Sequence, residues 1–115
     1  MFEVSIMPKP SGLLQGTLDL LILKTLTREP LHGWAIGKRI QLLSGEVLSF
    51  GQGSLYPALH RLEQQGWIDA EWKDSDLGRP AKFYALTRDG KKQLAIELQT
   101  WDRLSAAVQL VIQKA

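Results

Sequence analysis

The sequence predicts a mainly α-helical α+β chain: three helices, a β-hairpin and a long terminal helix. Three observations predict it. Apolar residues recur at helical spacing over most of the chain. The stretch from Trp67 to Lys73 instead alternates Ile68, Ala70 and Trp72 with Asp69, Glu71 and Lys73, as a strand does. A loop rich in Asp, Gly and Pro then separates it from a second short aromatic stretch, Ala81 to Leu86.

The chain has 115 residues, 44% of them hydrophobic and 23% charged. That fits one globular domain with a modest core and excludes a disordered chain. There is no cysteine, which removes disulfides and thiolate metal sites and is compatible with a reducing cytoplasm. The first ten residues lack the basic start and apolar run of a signal peptide. The stretch Leu13 to Leu26 is too short and too polar to span a bilayer, being interrupted by Gln15, Asp19 and Lys24. A formal net charge of +2 is a weak pointer to nucleic acid, so the position of the charges has to carry that argument.

Residues 1–12 read as a loose arm, because Pro8 and Pro10 disfavour helix and Ser11-Gly12 is a break. A first helix is expected from about Leu14 to Thr27. Leu14, Leu18, Leu21, Ile22 and Leu26 mark one face, and Leu20 and Leu23 widen the apolar band almost around the cylinder. Such a helix is buried on most sides, in part by a second subunit. Pro30 ends it. A second helix begins near His32 and turns Trp34, Ile36, Ile40 and Leu43 inward, with Ser44-Gly45 as its stop.

Ser54 is a suitable N-cap for a third helix that runs to about Gln65, with Pro57 in its first turn. On a helical wheel Leu55, Ala58, Leu59 and Leu62 share the inward face. Tyr56, Pro57, His60, Arg61 and Gln64 lie opposite, with Glu63 at the margin. That outward face carries donors and acceptors suited to base edges and phosphates and has no carboxylate at its centre. The hairpin then presents Arg79 at its tip and Lys82 and Lys73 nearer its base, within reach of phosphates or a minor groove. A plain solvated face is the alternative for both elements, and Asp74 and Asp76 favour it in the hairpin.

Thr87 is expected to cap a final helix that reaches about Gln113, with Asp89 in its first turn. Leu94, Leu98, Trp101, Val108 and Ile112 step by four and three with Ser105 filling the missing place, and Leu104 and Val111 thicken the seam. This heptad-like spacing predicts a homodimer. The order helix, helix, helix, hairpin, long helix is that of a winged helix-turn-helix (residues 13–86) followed by a C-terminal dimerisation helix (residues 87–115).

Several segments resemble one family. Gly16 to Leu23, Leu31-His32-Gly33-Trp34, the string Gly53 to Glu63 containing Leu55-Tyr56-Pro57 and Arg61-Leu62-Glu63, Gly66-Trp67-Ile68, and Gly78 to Thr87 with Gly90 are similar to the PadR-like regulators. The likeness covers residues 13 to 112 and points to the short branch with one C-terminal helix. It implies a dimeric transcription factor, in most cases a repressor, bound to an inverted repeat of double-stranded DNA. It implies DNA contacts from Tyr56, Arg61 and neighbours of the third helix, namely Ser54, Pro57, His60 and Gln64, with Arg79 and Lys82 on the wing. It also implies that the last helix packs on the partner's first helix. Some members hold a flat aromatic effector between two interfacial tryptophans, a position matched here by Trp101. Ser105 stands where an acidic residue would help hold a cation. The alternative for Trp101 is simple filling of the seam.

An enzyme is not expected. His32 and His60 lie on different helices, and no nucleophile elbow, phosphate loop or metal-ligand spacing is present. No cofactor is expected either. A winged helix that binds another protein and never reads DNA remains the second functional class.

Overall fold

A computed structural model describes residues 12–115. The arm expected over residues 1–12 lies, but for Gly12, outside the described residues. The elements are α1 (Gly12–Thr25), β1 (Leu31–His32), α2 (Gly33–Leu43), α3 (Gln52–Gln64), β2 (Ile68–Asp74), β3 (Pro80–Leu86) and α4 (Arg88–Lys114). The strands form one antiparallel sheet in the order β1-β3-β2. This is the winged-helix order, with a long helix added.

The core is built by α1, α2 and α3 around Ile22, Leu23, Ile36, Leu59, Leu62 and Ile68, all fully buried. Helix α1 is apolar around most of its circumference because it is covered by α2, α3 and α4 of its own chain. A short strand, β1, was not expected. Two residues carry no periodicity, so only the ladder reveals them: Leu31 pairs with Tyr84 and His32 with Phe83. The pairing ties the start of α2 to the wing. His32 then caps α2, its Nδ1 accepting the Ala35 N–H at 3.3 Å.

Several sequence expectations are corrected. Ser54 is not the N-cap of α3: Gly51 is, without a side-chain cap bond, and the helix starts two residues before Ser54. Pro57 therefore stands in the second turn, where it leaves the Gly53 carbonyl without a helical donor. Both residues are exposed, so water can serve that carbonyl. Trp34 and Leu43 do not face inward. Trp34 is 65% exposed and Leu43 is also in solvent, because the buried stripe of α2 is narrow, Ile36 and Ile40. Leu94 does not belong to a free seam. It is 7% exposed and sits in the protomer's own core.

The joint between α3 and α4 is tight. The Thr87 hydroxyl donates to the Gly66 carbonyl at 2.7 Å and accepts the Gly90 N–H at 2.9 Å, while the Thr87 N–H donates to the Trp67 carbonyl at 3.1 Å. A Cβ on Gly90 would overlap the Trp67 carbonyl oxygen. The segment that follows α3 and the first turn of α4 are thus joined by hydrogen bonds.

Candidate nucleic-acid interface

Helix α3 presents two faces, as its sequence requires. Leu55, Ala58, Leu59 and Leu62 are buried, and Tyr56, Pro57, His60 and Gln64 are exposed. Ser54 is half-buried near the helix start. Tyr56 is held by an unusual neighbour. Its ring lies across Gly33, where an added Cβ would sit 2.8 Å from Cε1 of the ring. A side chain at this position would have to displace the ring, so glycine lets the phenol lie against the start of α2.

The cations are less free than their spacing suggests. Arg61 Nη2 donates to Asp19 Oδ1 of α1 at 2.6 Å. The contact pulls Arg61 towards the side of α3 that faces α1. Burial raises the Asp19 pKa above its ordinary value, the Arg61 charge and hydrogen bond oppose that rise, and Glu97 of α4 adds to it. Lys82 Nζ donates to Glu63 Oε1 at 3.1 Å, which braces β3 against α3. That bond is the main cause of a raised Lys82 pKa. The same ammonium lies 5.6 Å from the Tyr84 ring centroid.

Arg79 is exposed at the wing tip and makes no ion pair among the described residues. The tip is a closed turn, with the Ser75 N–H donating to the Arg79 carbonyl at 2.8 Å and the Gly78 N–H to the Ser75 carbonyl at 2.9 Å. Exposed Tyr56, His60 and Gln64 on α3 and exposed Arg79 on the wing are therefore the expected contact residues that no ion pair or side-chain hydrogen bond occupies among the described residues.

On α4 the predicted seam divides. Leu98, Trp101, Leu104, Val108 and Ile112 are exposed, and Ile96, Leu110 and Val111 extend the apolar surface. Trp101 and Leu104 also border a groove of about 190 Å³ shared with Gly16, Leu20 and Glu97. Among the described residues no group of His, Asp and Glu is placed to hold a metal ion, and no helix is long and apolar enough to cross a membrane.

The fold and the polar outward face of α3 define a winged-helix DNA-binding protein. The PadR-like family of transcriptional regulators matches residues 22–96, and the chain belongs to that family. It is similar to a PadR-family regulator of Eggerthella lenta, at 32% identity and a TM-score of 0.73, over 88% of this chain and 86% of that one. It is also similar to a PadR-like regulator of Bacillus cereus, at 28% identity and a TM-score of 0.75, over 91% of this chain and 100% of that one. A 37.1 kDa protein of a Streptomyces fradiae transposon is 39% identical over 78% of this chain, which spans 24% of that protein. The protein is therefore a DNA-binding transcriptional regulator and not an enzyme.

Sequence reasoning missed the partners of Arg61 and Lys82, and it missed the exposed pair Trp34 and Trp72. The alternation of β2 did contain a signal. It continues to Trp72, whereas the core ends near Ala70.

Proposed function

We propose that the protein is a homodimeric repressor that reads an inverted repeat with α3, acts in the cytoplasm, and pairs through α4. The observation that carries this reading is the division of α3 into a buried aliphatic face and an exposed face of Tyr56, Pro57, His60 and Gln64. Such a face fits base edges and phosphates in a major groove. Ser54 is near enough to the helix start to meet a phosphate, and Arg79 reaches out from the wing.

Arg61 and Lys82 are expected to contact DNA only by exchanging a carboxylate partner for it. Arg61→Ala is expected to weaken operator binding by about 1–3 kcal/mol. Leu98, Trp101, Leu104, Val108 and Ile112 are the proposed subunit contact, with α1 of the partner covering them. The groove beside Trp101 supports a role in the seam better than a role as an effector site, since it is small; Glu97 borders it, but Ser105 stands where the family's acid would be.

The test is alanine substitution at Tyr56, His60 and Gln64, read by binding to the protein's own upstream DNA and to scrambled DNA. A selective loss on the upstream sequence supports the reading. An equal loss on both contradicts base reading by these residues and leaves them as non-specific contacts, and no loss on either favours a protein-binding winged helix.

A further inference from the structure

A cleft of about 890 Å³ opens between the start of α2, the start of α3 and the wing. Its walls carry the rings of Trp34, Tyr56, Trp72 and Tyr84. Trp34 and Trp72 are 65% and 68% exposed, on separate elements. Two indoles that the core does not use therefore face water around one cavity.

Ring faces attract cations, and one ring of this wall already holds one: Lys82 lies over Tyr84. The Lys82 charge is offset by Glu63 at 3.1 Å. The other charged group of the lining is Asp76, exposed at the rim and in no ion pair among the described residues. With Lys82 paired to Glu63, the Asp76 carboxylate is the charge of the lining left without an ion pair among the described residues, and it suits a positive ligand.

Hydrogen-bond acceptors are few, the Asp76 carboxylate, the Ser75 hydroxyl and the tyrosine hydroxyls. A primary ammonium brings three N–H groups that lose water on entry and need acceptors. A quaternary ammonium has none to satisfy. The volume exceeds what a bare trimethylammonium head fills, and Leu77, 87% exposed on the wing turn, supplies an apolar rim.

We propose that the cleft between α2, α3 and the wing binds a quaternary ammonium compound bearing an apolar substituent. Tyr56 and Lys82 also belong to the proposed DNA face, so an occupied cleft would compete with DNA. That consequence rests on the proposed function, whereas binding itself does not.

The test is a titration of the 115-residue chain, without DNA and at constant ionic strength, followed by the ¹⁵N indole resonances. Single Trp→Phe substitutions assign them. Benzyltrimethylammonium is expected to shift Trp34 and Trp72 together and to saturate at millimolar concentration, leaving Trp67 and Trp101 in place. Choline is expected to bind more weakly. Its uncharged carbon isostere, 3,3-dimethylbutanol, should bind about tenfold more weakly than choline. Asp76→Asn, at an exposed position that should not disturb folding, is expected to reduce affinity by about fivefold. Shifts centred on Trp101, equal binding of the alcohol, or unmoved Trp34 and Trp72 would overturn the proposal. Indole shifts without displacement of bound upstream DNA would support the site and count against the DNA face.

Discussion

Asp19 and Arg61 stand 42 positions apart and meet at 2.6 Å. The sequence places Arg61 beside the outward face of α3 but is silent on its partner, because such a contact depends on how α1 crosses α3. The pair yields two predictions. Burial raises the Asp19 pKa above 3.8, so the folded chain holds that proton more tightly than the unfolded one. Its contribution to stability is complete at low pH and is lost as pH rises through the raised value. The melting temperature of the wild type, relative to Asp19→Asn, should therefore fall as pH rises above 3.8. A rise would show that Arg61 outweighs burial. The second prediction concerns DNA. If Arg61 reads a base, Asp19→Asn releases it and operator affinity holds or improves while Arg61→Ala loses affinity. Equal loss in both variants would reduce Arg61 to a prop for α3.

Among the elements, α3 and the hairpin were legible because each has a clear period and clear punctuation. The ends were less so. Ser54 is a good capping residue by type, yet the helix begins before it, at Gln52, with the extended Gly51 as its N-cap. The inward face of α2 was overestimated because Trp34 and Leu43 are apolar by type and exposed by position. The α3–α4 joint is testable. Gly90→Ala would force a methyl group against the Trp67 carbonyl and against Leu86 Cδ1, 2.8 Å away. A loss of about 1–3 kcal/mol in unfolding free energy is expected, measured by urea denaturation, and an unchanged midpoint would refute the close fit. For the brace between β3 and α3, Lys82→Ala should weaken all DNA sequences alike and lower the salt slope by about one. Glu63→Ala should instead strengthen non-specific binding by freeing the ammonium. A sequence-selective effect of either would contradict a phosphate role for Lys82.

For the whole molecule, the heptad-like seam of α4 was visible in the sequence, but its division was not. Periodicity marks which residues share a face and cannot say which neighbour covers them. The protomer's own core takes Leu94, while Val108 and Ile112 remain in solvent. Val108→Asp should therefore give a folded monomer at micromolar concentration by light scattering, and Leu94→Asp should unfold the chain. A dimeric Val108→Asp protein would move the interface away from this part of α4. Thr87 and Gly90 join α4 to the segment after α3, so in the proposed dimer the angle between the two α4 helices would also set the distance between the two α3 helices.

In the proposed function an intact dimer reads DNA through α3. That reading is tested most directly by fluorescence anisotropy of the protein on its own upstream DNA and on scrambled DNA, at two salt concentrations. Tighter binding to the upstream DNA, weakening as salt rises, is the predicted result. No preference between the two, with the dimer intact and salt without effect, would contradict it.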